Sequence, residues 1–386
     1  MQKFDVIVVG LGAMGSAALY QLAKRGVRVA GLDRYSPPHD QGSSHGGTRI
    51  TRLAIGEGAH YTPLVKRSHE IWREIEKETG ADLLTQSGEL IISSAARKSS
   101  LHIEGFFQNT VDAARRHGIA HELLDANQIR RRFPLFDIRD DEHGFFEPEA
   151  GFLRPEACIG AQLLLAEKHG AAIHRNEAVM TFESTAAGVT VTTDRGRYAA
   201  DRIIVAAGAW LPTLLGGPFE RLLRVYRQVQ HWFAVDGDVS QHTPEHFPVF
   251  IWELADWPQG IYGFPVIDGF GLKVATEQYA ETTSPDAVAR SVGDEEIALM
   301  RERIAVPNIK GLSGRSTRSA VCLYTVTPDA GFIIDRAPQS DRVILASCCS
   351  GHGFKHSPAI GEILADMAER RAPAFDLAPF RLARFG

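Results

Sequence analysis

The six residues Gly10-Leu11-Gly12-Ala13-Met14-Gly15 constrain what this chain can fold into more than any other stretch. They follow Phe4 to Val9, a nearly all-apolar run that suits a short strand buried on both faces of a parallel sheet. Ser16 to Arg25 then places Ala18, Leu19, Leu22 and Ala23 at helical spacing, Gly26 ends the helix, and Val27 to Leu32 reads as a second strand. In that context G-x-G-x-x-G marks a dinucleotide site rather than close packing alone. Gly10 permits the tight turn, Gly12 lets a pyrophosphate approach the backbone, and Gly15 lets helix and strand pack closely. Phosphates would meet the helix N-terminus at Ala13 and Met14, where unpaired N–H groups and the helix dipole favour anions. Asp33 is placed to accept hydrogen bonds from a ribose, and Arg34 to contact an adenosine, a phosphate or only solvent. The pattern does not separate NAD from FAD.

At 386 residues the chain is too long for one small core, and about 150 residues per domain gives two or three units, read here as two interleaved domains. The formal net charge of −5 leaves no basic footprint for nucleic acid. No run of about 18 apolar residues is present, which argues against a membrane partner. The N-terminus enters a strand without a signal-peptide pattern, so a soluble cytoplasmic enzyme is expected. Cys158, Cys322, Cys348 and Cys349 show no C-x-x-C spacing, and neither a metal site nor a disulfide framework is expected. Buried free thiols are the plain reading of each.

Between Ser36 and Gly58 the chain is rich in Ser, Gly, His, Pro and Arg without periodicity, a long loop of the kind that usually carries function. Helices are predicted over Pro63 to Thr79, Ser100 to His117, Ala126 to Phe133 and Pro155 to Gly170, and a strand over Gly88 to Ser93. Short strands follow at Ala171 to His174, Val179 to Ser184, Val189 to Thr193 and Arg202 to Ala206. Gln228 to Val274 alternates aromatic and β-branched residues, predicting a mainly antiparallel sheet. A helix over Asp294 to Val306, a strand over Val343 to Ala346, a turn over Ser347 to Gly353 and a helix over Pro358 to Arg370 complete the pattern. The expected fold is α/β, α+β overall, with βαβ material at the start, middle and end of the chain and the intervening stretches in a second sheet layer.

Further motifs lie in order along the chain. Gly42-Ser43-Ser44-His45-Gly46-Gly47-Thr48-Arg49-Ile50-Thr51-Arg52 comes first, then Gly263-Phe264-Pro265 with Gly271-Leu272-Lys273. Cys322-Leu323-Tyr324-Thr325 with Thr327-Pro328-Asp329 follows, and last Ser350-Gly351-His352-Gly353-Phe354-Lys355. With the glycine turn, they resemble the monomeric sarcosine oxidase and N-methyl-tryptophan oxidase family of flavoproteins, in the glycine/D-amino acid oxidase superfamily, over essentially all 386 residues. The resemblance implies a Rossmann-type FAD-binding domain with a parallel central sheet (1–85, 145–215 and 320–386). It implies also a substrate domain with a mostly antiparallel sheet and flanking helices (86–144 and 216–319). FAD would be held by the glycine turn, Asp33 and Arg34, by Ser43, Ser44, Arg49, Val179, Ala207, Gly208 and Trp210, and by Gly351, His352, Gly353, Phe354 and Lys355. The sulfur of Cys322 would be bonded to the 8α carbon of the flavin, where the residues alone leave a buried free thiol open.

The implied activity is oxidation of the C–N bond of a secondary amine or N-methyl amino acid to an imine, with dioxygen reduced to hydrogen peroxide, by a monomer. Arg52 and Lys355 fall on carboxylate-binding positions, a task suited to the parallel hydrogen bonds of arginine. Lys273 falls on the residue that assists oxygen reduction, where a cation stabilises charge that appears only on electron transfer. Arg49 would stabilise reduced, anionic flavin, and His352, Tyr324 and Tyr262 would line the substrate cavity. No residue stands out as a general base, so the amine is expected to bind in its neutral form.

One position departs from the sarcosine-type pattern: four residues after Lys273, where that pattern has histidine, stands Glu277. A carboxylate there weakens the case for sarcosine itself, and either meets a cationic part of a larger substrate or points away. Other readings are a related deaminating glycine or D-amino acid-type oxidase, an FAD dehydrogenase with another electron acceptor, and a non-catalytic Rossmann-type protein that keeps a nucleotide.

Overall fold

The computed structural model describes residues 1–97 and 103–386. Strand β1 (Gln2–Val9), helix α1 (Ala13–Lys24) and strand β2 (Val29–Leu32) form in the order predicted around the glycine turn. β1 pairs in parallel with β2 on one side and with Arg197–Val205 on the other. β2 goes on to pair with Ala172–His174, and Arg197–Val205 with Ser340–Ser347, again in parallel. Strands from the start, middle and end of the chain therefore lie side by side. Val6 and Val8 face a core shared with α1, Pro155–Lys168 and Ser357–Ala368, while Ile7 and Val9 face a second core. Cover on both faces is the physical reason that β1 reads as an apolar run without alternation.

The second sheet has eight strands in the order Leu312–Val326, Arg224–Val235, Leu272–Thr276, Ile261–Phe264, Val249–Trp252, Glu89–Ser94, Glu142–Glu147 and Glu122–Asp125. Its neighbours are antiparallel except Val249–Trp252 with Glu89–Ser94. Directly opposed residues point to the same face and the facing alternates along each strand, so the register sorts the side chains. The pairs Tyr324–Tyr226, Cys322–Gln228, Gln230–Ala275, Ala275–Tyr262, Tyr262–Ile251 and Ile251–Ile91 carry one face across the sheet. Lys273 and Glu89 join that face at period two. On the other face Phe233, Leu272, Val274, Ile261, Phe250, Trp252, Leu90, Ile92 and Phe146 close an apolar core. One face holds the sheet in place; the other is left to chemistry.

Two expected boundaries are corrected. Residue 320 falls inside Leu312–Val326, which pairs with Arg224–Val235, and residue 145 falls inside Glu142–Glu147, so both strands belong to the second sheet. The first strand was hidden because Ser313, Arg315, Thr317 and Ser319 make half of it polar, as an edge strand permits. The helix expected over Asp294 to Val306 is regular only to Met300 and widens into a π turn at Arg301–Ala305. The helix expected from Ser100 spans Phe106–His117, and its predicted start lies outside the described residues. Among the described residues, no helix is long and apolar enough to cross a membrane.

Candidate active site

A cavity of about 370 Å³ is lined from both sheets. Its wall brings together Gly10, Gly12, Ala13, Met14, Asp33, Arg34, Ser43, Ser44, Val179, Ala207, Gly208 and Trp210, all predicted to hold a nucleotide. The same wall carries Arg49, Arg52, Tyr262, Tyr324, Gly351, His352, Gly353, Phe354 and Lys355, the residues assigned to chemistry and the flavin. Gly15, Lys273 and Cys322 do not line it.

Gly15 sits behind the turn, where a Cβ would stand 1.7 Å from the carbonyl oxygen of Gly10; its contribution is close packing. At Gly12 a Cβ would meet nothing within 4 Å, the open floor that an approaching phosphate needs. Asp33 stiffens this turn through its two oxygens, which accept from the amides of Leu11 at 2.7 Å and Tyr35 at 2.8 Å. Arg34 is bonded to Asp286 at 2.8 Å and lies 5.6 Å from the Trp210 ring, whose Nε1 donates to the same carboxylate at 2.9 Å. The arginine that sequence left between ligand and solvent is thus fixed at the cavity wall.

The long loop is held from three sides. Glu156, in the first turn of Pro155–Lys168, accepts from the amides of Gly46 at 2.6 Å and Gly47 at 3.2 Å. The Arg49 guanidinium donates to the carbonyls of Ser43 at 2.6 Å and Thr48 at 2.7 Å. The Nζ of Lys273 donates to the carbonyls of Gly46 at 2.9 Å and Thr48 at 3.1 Å and to the Thr48 hydroxyl at 3.1 Å. Lys273 lies over the rings of Trp232 and Phe264. Burial, followed by the charge of Arg49, holds its amine well below the ordinary lysine range. Cys322 shares the face of Tyr324, but it is fully buried, and its Sγ accepts from Gln230 Nε2 at 3.2 Å.

Around Arg52 the cavity becomes a buried charge cluster. Its Nη2 donates to both Glu57 oxygens at 2.7 and 2.9 Å, its Nη1 is 3.5 Å from Glu89, and its guanidinium lies 5.0 Å from the Phe106 ring. Lys355 donates to the His352 carbonyl at 2.8 Å and stands 3.9 Å from Glu57. The His352 ring is bonded to the Ala330 carbonyl at 3.0 Å and reaches within 3.8 Å of the same glutamate. Burial pushes the Lys355 ammonium down to about 8, against the pull of Glu57. Burial likewise pushes Glu89 up to about 8, against the pull of Arg52. Glu147, which tethers the amides of Leu53 and Ala54 at 2.6 and 3.0 Å, adds to the upward push on Glu89.

Sequence reasoning missed Glu57, Glu89, Glu156, Phe106 and Gln230. Glu57 had a signal, an acid five residues after Arg52 in the same loop. Glu89 had a weaker one, an acid directly before the apolar run Leu90-Ile91-Ile92. Phe106 and Gln230 reach the site only through the tertiary fold.

The donor set fits a flavin dinucleotide. The Gly12 floor lies beside the N-terminus of α1, Arg49 is a half-buried cation at the wall, and the Thr325 hydroxyl, buried at that wall, has no hydrogen-bond partner among the described residues. The sequence matches the family described as FAD dependent oxidoreductase over residues 5–367. It is 41% identical over 371 residues to a monomeric sarcosine oxidase of Streptomyces avermitilis, covering 95% of this chain and 93% of that one. It is 36% identical over 389 residues to an N-methyl-L-tryptophan oxidase of Salmonella arizonae, covering 99% of both. Among solved structures, the open form of NikD, an unusual amino acid oxidase essential for nikkomycin biosynthesis, superposes with a TM-score of 0.83 at 24% identity, over 99% of this chain and 98% of that one. Glycine oxidase of Geobacillus kaustophilus superposes at 0.77 and 22%, over 100% and 99%. The chain therefore belongs to the FAD-dependent oxidoreductases, within the sarcosine oxidase and N-methyl-tryptophan oxidase family.

Proposed function

We propose that this chain is an FAD-dependent oxidase of N-alkyl amino acids, above all N-methyl ones, that converts their C–N bond to an imine with dioxygen as electron acceptor. The observation that carries this reading is a single cavity joining a dinucleotide turn to the buried pair Arg52 and Lys355. Bound FAD supplies the two-electron acceptor for the carbon beside nitrogen. The chain supplies orientation: Arg52 and Lys355 bind the substrate carboxylate, and their burial strengthens each contact. Glu57 holds both cations in place before substrate arrives. Tyr262 and Tyr324, with hydroxyls 3.4 Å apart and both raised in pKa by burial, wall the cavity as neutral phenols. Lys273 assists oxygen reduction from behind the wall, through the loop that it binds.

The proposal includes a covalent link from Cys322 to the flavin and a monomeric enzyme, the state named for the sarcosine oxidase relatives. A non-covalent flavin is the second reading, favoured by the place of Cys322 behind the cavity lining. The test of function is peroxide release from N-methyl amino acids against the same N-methyl amines lacking the carboxylate. Turnover confined to the carboxylates is expected; equal turnover of both sets would overturn the reading.

A further inference from the structure

Glu277 lies one residue past the strand Leu272–Thr276 and lines the cavity that Arg52 and Lys355 also line. Its place is fixed from behind. The hydroxyl of Tyr279 donates to its Oε2 at 3.0 Å, and the Tyr279 ring packs against Tyr226 and Tyr324 at centroid distances of 5.6 and 6.4 Å. Gly351 leaves the room, since a Cβ there would stand 2.9 Å from that hydroxyl. The charge of Glu277 acts on Lys355 and on Tyr262 and Tyr324, so these groups share one electrostatic space. The cavity thus offers cations for a carboxylate and a separate, oriented carboxylate.

We infer that Glu277 is the subsite for the cationic nitrogen of a zwitterionic substrate. The inference rests on the reading above, in which the substrate carboxylate meets Arg52 and Lys355. It departs from uptake of the neutral amine, the expectation drawn from sequence. A wall with both signs is complementary to a zwitterion, and it disfavours a carboxylate that lacks the cation, because Glu277 would then face an apolar group.

The test uses two ligands of one shape that carry no oxidisable amine: trimethylammonioacetate and its carbon isostere tert-butylacetate, which keeps the carboxylate and lacks the cation. Each is titrated into holoenzyme and followed by the flavin absorbance band. The wild type is expected to bind the zwitterionic member about tenfold more tightly or better. That preference is expected to vanish in Glu277→Gln and to shrink in Tyr279→Phe, which keeps the carboxylate but not its anchor. An unaltered flavin spectrum in the ligand-free variants establishes that they are folded. Equal affinities in the wild type, or a preference that survives Glu277→Gln, would overturn the inference and leave the carboxylate reading standing. Failure of flavin-loaded wild type to bind either ligand would overturn both.

Discussion

Replacing Glu89 by Gln tests the charge cluster without touching the cavity wall. Glu89 is fully buried, both its oxygens lack a hydrogen-bond partner among the described residues, and the Arg52 guanidinium is 3.5 Å away. Facing it also are Glu57, Glu147 and Lys355, so carboxylates outnumber cations when all are ionised. Its carboxyl is pushed from an ordinary 4.5 up to about 8. A group whose pKa is raised on folding contributes its full stability below the unfolded value and loses it as pH climbs to the folded one. The gap of ~3.5 pH units, at about 1.4 kcal/mol each, means that the wild type loses on the order of 5 kcal/mol relative to the variant across that window. A chain of 386 residues unfolds with an entropy of about 0.8 kcal/mol/K, which makes the difference ~6 °C in Tm. Thermal melts of both holoenzymes from about pH 5 to about pH 9 read it directly. The curves should nearly coincide at the acid end, where Glu89 is protonated, and the variant should pull ahead as pH rises. Comparison at each pH cancels titrations common to both proteins. A constant offset across the range would refute the argument that an under-compensated carboxylate sits against Arg52.

The other predictions concern the cavity itself. Acid precipitation of the wild type should leave the flavin in the pellet and that of Cys322→Ser should release it; a colourless wild-type pellet would remove the covalent link. Arg52→Gln should raise KM for an N-methyl amino acid about 10- to 100-fold, the worth of charge-assisted hydrogen bonds, and steady-state kinetics with an unchanged KM would show that Arg52 does not hold the carboxylate. Lys355 loses its proton as pH rises through about 8, so carboxylate affinity should fall above that value. Lys355→Arg should carry binding to higher pH, and identical KM–pH profiles would contradict the assignment. Lys273→Met should slow reoxidation of the reduced enzyme about 10²- to 10³-fold in stopped-flow, far more than it slows flavin reduction by substrate.

How far the sequence could be read depended on what kind of constraint each residue answers to. The turn at Gly10 to Gly15 was legible because its demands are on backbone: a Cβ at Gly15 would collide with Gly10 at 1.7 Å, and no context relaxes that. Arg52 and Lys355 were reachable only by resemblance, since a lone cation in a sequence gives no sign that it will be buried. Their counter-ions divide by distance: Glu57 stands in the same loop, whereas Glu89 meets Arg52 only because Glu89–Ser94 takes its place among the eight strands. The strand Leu312–Val326 escaped because its polar half, Ser313 to Ser319, imitates a loop.

Depth from the cavity was the property least available in advance. Motifs put Lys273 and Cys322 beside the flavin, and the sheet register sets both on the face that carries the cavity-lining Tyr262 and Tyr324. The structure nevertheless places each behind the lining, Cys322 against Gln230 and Lys273 against Gly46 and Thr48. For Lys273 this has a mechanistic consequence. Its ammonium satisfies two carbonyls and a hydroxyl of the very loop that presents Arg49 and Arg52, so removing it withdraws a charge and also loosens that loop. On the proposed role, loss of the charge alone would slow oxygen reduction, whereas loss of the loop would disturb substrate binding and flavin reduction too. Overall turnover mixes the two effects. Only separate measurement of the two half-reactions distinguishes them, and slowing of both by the same factor would mean that Lys273 acts as a structural tether rather than as the group that assists dioxygen.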